Sequence, residues 1–273
     1  MKLAHVELWN WRNFAHVEFD LNTRLFVVGP NASGKSNLLD ALRFLSDVAK
    51  TGLREAVERR GGMHALSNGA NGTGSVRLVF SFEAGPERRA YELDLSTDRA
   101  GDAGSQGIRD YFTGIHYIHP NPKKMLERGR YDEHATGFTQ RVASRPDAVL
   151  KPAIARIRPI LASIVPEIPR LSYVRIGAND DIIFYSDDPQ KPGAFTHMRF
   201  SEGTLRILGI LFELATLPKD TSLVLIEEPE LFMQPSVVRS LPDFFAAVAA
   251  DRNVQMIITT HSPDLIDNEL IRP

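Results

Sequence analysis

The stretch Gly29-Pro30-Asn31-Ala32-Ser33-Gly34-Lys35-Ser36 carries the eight-residue pattern of a phosphate-binding loop, Gly-x-x-x-x-Gly-Lys-Ser. It stands where that pattern has physical meaning. The run Arg24 to Val28 before it reads as a strand, and Leu38, Leu39, Leu42 and Leu45 after it recur at helical spacing between Asn37 and Val48. Glycines let successive backbone N–H groups turn towards phosphate oxygens, and the helix N-terminus adds its positive end. Lys35 would reach the β- and γ-phosphates and the Ser36 hydroxyl would ligate Mg²⁺. The expected nucleotide-contacting set is Gly29, Pro30, Asn31, Ala32, Ser33, Gly34, Lys35, Ser36 and Asn37.

Working outward, Lys2 to Trp9 and Ala15 to Asp20 read as strands, broken by Asn10 and by Asn22-Thr23. On the other side, Gly61 to Gly74 is rich in Gly, Asn and Ser. Ser75 to Glu83 and Ala90 to Leu95 then alternate as a hairpin around Gly85-Pro86, and Asp98 to Gly107 reads as a loop. A helix is expected from Ala148 to Val165, limited by Pro152 and Pro159, followed by strands at Leu171 to Ile176 and Ile182 to Tyr185. An α/β series closes the chain: helix Glu202 to Leu217, strand Ser222 to Ile226, helix Ser236 to Ala250 and strand Val254 to Thr259. This order predicts an α/β fold of phosphate-loop type with N-terminal antiparallel strands and an inserted helical and strand segment. The expected division is 1–105, an inserted basic segment at 106–200, and 201–273.

Three further patterns carry chemistry. The apolar strand Leu223 to Ile226 ends in Glu227-Glu228-Pro229; beside a phosphate loop the first carboxylate would face the Mg²⁺ shell and the second would orient and deprotonate water. Strand Val254 to Thr259 runs into Thr260-His261, at the strand end where open α/β sheets bind ligands, so His261 could donate to a γ-phosphate. Phe200-Ser201-Glu202-Gly203-Thr204 opens an apolar helix. Ser201 reads as an N-cap. Gly203 in the first turn costs up to ~1 kcal/mol against Ala, which points to a ligand approaching the backbone.

Taken in order, GPNASGKSNLLDAL, FSEGTLRIL, LVLIEEPELFMQP and IITTHSPDLI resemble the ABC-type ATPase heads of the SMC/RecF branch. The resemblance is strongest to bacterial AAA-type ATPases related to the overcoming-lysogenization-defect (OLD) family. It begins at Trp9-Asn10-Trp11-Arg12-Asn13-Phe14 and runs to Asp264. It implies a head-to-tail homodimer sandwiching two ATP molecules, each held by one protomer's phosphate loop and by Ser201 and Gly203 of the other. It also implies Lys35, Glu228 and His261 as catalytic residues, Ser36 and Glu227 as metal ligands, and Arg12 near the nucleotide. The implied cofactors are ATP and Mg²⁺, with an effector protein as partner and DNA as another candidate ligand.

The sequence departs from that pattern at named positions. Glu227 stands where ABC heads usually carry Asp, and Gln234 stands where the family has a dimer-contacting Asp or His. The family's glutamine loop has only Gln106 and Gln140 as candidates. The chain ends soon after His261, so the resemblance places effector chemistry in a missing C-terminal domain or on another polypeptide. No second acidic ligand cluster suggesting a nuclease is visible in the sequence.

Composition bounds these expectations. The 273 residues are 43% hydrophobic and 24% charged, the balance of a folded globular chain and not a disordered one. No apolar run approaches the ~18 residues of a membrane span, and no export signal opens the chain. The absence of cysteine excludes disulfides, Cys-ligated zinc and a thiol nucleophile, and a cytoplasmic location is expected. The net charge is -2, yet Asn121 to Ile160 holds nine Lys/Arg against four acids. Such an excess is either a solvated face or a contact to a phosphate backbone or a partner.

Overall fold

The computed structural model describes residues 1–68, 75–95, 99–100, 106–165, 168–177, 181–187 and 195–266. Most of the expected loop Asp98 to Gly107, and part of Gly61 to Gly74, lie outside them. The chain opens with strands β1 (Lys2–Trp11), β2 (Phe14–Asp20) and β3 (Arg24–Val28), then helices α1 (Lys35–Thr51), α2 (Leu53–Glu58) and α3 (Met63–Leu66). Strands β4 (Arg77–Ala84), β5 (Glu87–Asp94) and β6 (Arg99–Ala100) lead to α4 (Gln106–Thr113) and β7 (Ile115–Ile118). Next come α5 (Pro122–Met125), α6 (Phe138–Ala143), α7 (Asp147–Ile164), β8 (Leu171–Ile176), β9 (Asp181–Ser186) and β10 (Phe195–Thr196). After the 3₁₀ turn His197–Arg199 the chain ends through α8 (Glu202–Ala215), β11 (Leu223–Glu227), α9 (Pro235–Val238), α10 (Leu241–Arg252), β12 (Gln255–Thr260) and α11 (Pro263–Ile266).

The chain divides into two compact units, the first comprising 1–117, 220–225 and 249–261, the second 118–219, 226–248 and 262–273. In the first unit an antiparallel sheet of order β2-β1-β4-β5-β6 accompanies a second sheet of order β3-β12-β11-β7. Strand β12 pairs in parallel with β3, Met256 opposite Arg24 and Thr260 opposite Val28. The alternation read from the sequence has the expected cause: Leu3, Val6 and Leu8 of β1 and Leu78, Phe80 and Phe82 of β4 are buried against Leu39, Leu42 and Phe44 of α1. Gln255 fastens this core at one end. Its Oε1 accepts from the Leu3 amide at 2.8 Å and from the Tyr111 hydroxyl at 3.0 Å, while Nε2 donates to the carbonyls of Leu3 and Asn22. Each buried polar atom of that side chain is thereby satisfied.

Two differences from the expected elements concern proline, and a third concerns a strand. Pro152 and Pro159 lie inside α7 and do not limit it. An interior proline costs about 3 kcal/mol, but Leu150, Ala153, Ile154, Ile157 and Leu161 of this helix are buried, and each large apolar side chain returns about 1.5–3 kcal/mol. The single helix expected at Ser236 to Ala250 is broken into α9 and α10 around Ser240, because Pro242 has no N–H to continue the first helix and fits the opening turn of the second. Strand β7, absent from the sequence-derived elements, joins the sheet that holds β3.

In the second unit β10, β9 and β8 form a three-stranded antiparallel sheet. Phe138, Phe184 and Phe212 make its aromatic core, with Phe138 5.5 Å from Phe212 edge to face and 6.1 Å from Phe184. His197 is buried there, and its Nδ1 accepts the Phe184 amide at 3.1 Å. Burial lowers the imidazole pKa below its ordinary value of 6.5, with the charge of Asp181 acting in the opposite sense. The unfolded chain therefore binds this proton more readily than the folded one. The stabilising contribution is complete above about pH 6.5 and is lost as pH falls below it. Denaturation between pH 7.5 and 5 should show stability falling towards acid, with a shallower fall in His197→Gln; equal slopes would remove His197 as the cause.

Candidate functional site

The residues singled out by their chemistry fall into two groups, one in each unit. In the first unit, β3 ends at Val28, and the Gly29 amide donates to the carbonyl of Thr260 at 3.3 Å. Ala32 (φ 64°) and Gly34 (φ 102°) adopt left-handed backbone, the geometry that aims neighbouring N–H groups into a concavity. A Cβ on Gly34 would lie 2.3 Å from Nδ2 of Asn13, so this glycine is required both by its φ and by the turn packed on it. Helix α1 begins at Lys35 with no side-chain cap and no acid in its first turn. The positive end of its dipole thus meets no carboxylate from its own first turn.

Lys35 is 7% exposed and donates from Nζ to the carbonyls of Gly29 at 2.8 Å and Pro30 at 2.9 Å. Its ammonium is therefore held within the loop. Asn31, Ala32, Ser33 and Ser36 are exposed, Gly34 and Asn37 half-buried. Asn13 accepts from Nδ2 of Asn37 at 2.7 Å, and the Trp11 indole donates to the Asn37 carbonyl at 2.7 Å. Arg12 (φ 50°) is drawn to α1 by a 2.6 Å contact with Asp40, which also binds Arg60. His261 is exposed directly after β12, whose Thr260 pairs with Val28. The loop, the Arg12 turn and His261 thus share one unit.

The second unit holds the acid pair and the Ser201 segment. Glu227 closes β11 and Glu228 follows with φ 42°, a conformation that costs a non-glycine residue roughly 1–2 kcal/mol. Arg206, 1% exposed in α8, holds this turn. Its Nη2 donates to the carbonyls of Glu227 at 2.9 Å and Glu228 at 3.0 Å, and its Nη1 donates to Pro120 at 2.5 Å. His119, after β7, places Nδ1 3.4 Å from Oε2 of Glu227. The sequence reading singles out neither Arg206 nor His119; the available signal is an arginine among the many apolar residues of α8.

Ser201 caps α8, its Oγ accepting the Thr204 amide at 3.1 Å, as expected. Gly203 also has a packing reason to be glycine, beside the ligand approach expected for it: a Cβ there would meet the Phe232 carbonyl oxygen at 2.2 Å. Phe232 is itself left-handed (φ 68°) and 60% exposed. Ser201, Gly203, Phe232 and Gln234 line a cavity of about 810 Å³ floored by Val165, Ile207 and Val237. The two glutamines considered for the glutamine loop serve local structure: Gln106 donates to Asp110, and Gln140 accepts from the Gly129 amide.

The basic stretch is partly paired inside its own unit. Lys124 pairs with Glu127, Arg128 with Asp181, and Lys151 with Asp147. Arg141 lies 3.8 Å from the buried Glu213 and stacks over Tyr131, whose hydroxyl donates to that carboxylate. Folding also gathers Glu7, His16 and Glu18 on the first sheet with ligand atoms within 4.8 Å of one another. His16 there stacks on Trp9 at 3.7 Å, and Glu7 accepts the Trp9 indole at 2.7 Å. No helix among the described residues is long and apolar enough to cross a membrane.

Gly203→Ala should lower stability by about 1–3 kcal/mol, because the methyl group must displace backbone and not a flexible side chain. Urea unfolding would check this, and a change under 0.5 kcal/mol would contradict the packing described.

Comparison with known proteins agrees with this geometry. The "DNA replication and repair protein RecF" of Anaeromyxobacter dehalogenans is 31% identical over 169 residues, 59% of this chain and 44% of that protein. The RecF of Lactobacillus gasseri is 48% identical over 48 residues, 17% of this chain and 13% of that protein. The chain thus spans less than half the length of these curated relatives. A solved SMC head bound to the C-winged helix domain of ScpA superposes with a TM-score of 0.66 at 15% identity, covering 97% of this chain and 91% of that one. The SMC head domain from Thermotoga maritima gives 0.56 at 16% identity, covering 98% and 92%. The fold is that of an ABC-type ATPase head of the SMC/RecF branch. The family model "AAA domain, putative AbiEii toxin, Type IV TA system" matches residues 25–143 and 123–267, and the chain belongs to that family.

Proposed function

We propose that the chain binds and hydrolyses ATP as a head-to-tail homodimer, and that turnover gates a partner or effector protein in phage defence or DNA maintenance. The observation that carries this is the uncapped N-terminus of α1 behind a left-handed glycine loop, with the Lys35 ammonium held in that loop. These features favour a polyphosphate. Lys35 and the loop amides bind its β- and γ-oxygens, and Arg12 and His261 flank them. Exposed Ser36 and half-buried Glu227 offer the hard oxygen donors that fit Mg²⁺. When bound, that ion neutralises charge on the phosphate oxygens.

The Glu228 carboxylate takes a proton from water as the water oxygen bonds to the γ-phosphorus. The bond from that phosphorus to the bridging oxygen breaks, releasing ADP and phosphate. Arg206 acts as a positioning residue, fixing the turn from which Glu228 projects. Ser201 and Gly203 serve the nucleotide of the other protomer. That an SMC head neighbour is bound to ScpA supports a partner protein.

A low-turnover ATP sensor that holds an effector is the second reading, favoured by Gln234 at the dimer-contact position. A DNA-binding role like that named for the RecF relatives has less support, since part of the basic stretch is paired within its own unit. Steep salt dependence of DNA binding would revive it.

Steady-state ATP turnover per protomer, with Lys35→Ala as blank, should rise and saturate with protein concentration. A flat rate at the blank level with ATP still bound would favour the sensor. Glu228→Gln should retain ATP, lose at least about a hundredfold in turnover and accumulate as dimer in light scattering. Undiminished turnover would overturn the base assignment.

A further inference from the structure

We infer that His119 is a nitrogen ligand of the metal, and that the site consequently selects Mn²⁺ over Mg²⁺. This rests on the ATP-binding function proposed above. His119 and Glu227 are adjacent donors, Nδ1 lying 3.4 Å from Oε2, with the imidazole 25% and the carboxylate 13% exposed. The pair is built and not casual. Pro120, next to His119, gives its carbonyl to the same guanidinium of Arg206 that binds the carbonyls of Glu227 and Glu228. One buried cation thus fixes the segments carrying both donors. From the other side the His134 ring meets His119 edge to face at 5.8 Å, restricting ring rotation.

A mixed imidazole and carboxylate pair differs from the all-oxygen set of a magnesium site. Mg²⁺ takes oxygen ligands and parts with water reluctantly. Mn²⁺ accepts the same octahedral oxygen ligands, and as a first-row transition ion it binds nitrogen more readily. The longer reach of Glu227 compared with the Asp usual in ABC heads suits a carboxylate that shares the ion with an imidazole. Histidine at this position therefore changes which cation the site prefers without changing its charge requirement.

The test needs no turnover. Mn²⁺ and a non-hydrolysable ATP analogue are bound to full-length protein carrying ¹⁵N-labelled histidine, and nitrogen coupling to the ion is read by pulsed electron paramagnetic resonance. Competition with Mg²⁺ gives the preference. Coupling is expected in the wild type and absent in His119→Gln, which keeps a polar oxygen donor, and the Mn²⁺ preference should fall roughly tenfold. His261→Gln controls for the other histidine and should keep the coupling. A bound Mn²⁺–nucleotide complex without coupling, or with coupling and preference unchanged in His119→Gln, would overturn the inference while leaving the ATP site standing. Nucleotide binding no better than that of Lys35→Ala would overturn both. The wild-type spectrum decides even if the variant fails to fold.

Discussion

A single guanidinium organises the acid-bearing turn of the second unit. Arg206 sits in the largely apolar helix α8 and is almost wholly buried, where a charge is costly unless it is hydrogen-bonded. From Nη1 and Nη2 it donates to three main-chain carbonyls. Carbonyls have no rotamers, so the contacts fix backbone position and not merely side-chain orientation. The turn after β11 is thereby stabilised in a conformation that Glu228 alone would not favour. The cost of desolvating the charge is offset by charge-assisted hydrogen bonds, worth about 1.5–3 kcal/mol each.

The phosphate loop is organised differently. Its constraint is steric: Gly34 has no room for a Cβ because Asn13 occupies that space, and the Asn13 turn is in turn tied to Asn37. The motif and the turn at residues 10–13 therefore form one piece, although about twenty residues separate them in sequence. Such a loop is preorganised before any anion arrives, which lowers the ordering cost of binding.

What was legible in the sequence follows from this contrast. The phosphate loop, its flanking strand β3 and helix α1 are local, so spacing and periodicity revealed them; β3 and β8 have the expected bounds. The Ser201 cap was equally local. Strand β7 was hidden because four residues, Ile115 to Ile118, give too short an alternation to register, and two of them are His and Tyr. Pro152 and Pro159 misled because their local cost is real but is outweighed by packing that no window of sequence displays. Arg206 and His119 were illegible because their meaning lies in partners far along the chain: Arg206 meets Pro120 across 86 residues. At Gly203 the spacing points to a ligand, and the close approach of the Phe232 carbonyl, 29 residues along the chain, is a packing reason that no local window displays.

The left-handed backbone of Glu228 has a consequence for how such a chain responds to engineering. Asn or Gly would adopt φ 42° more comfortably, by on the order of 1 kcal/mol. Selection for thermal tolerance alone thus has an easy downhill step at this position, and that step discards the carboxylate. Under the base role proposed for Glu228, screens that score only melting temperature would enrich variants without that carboxylate, so a functional filter must accompany any stabilised version of this fold.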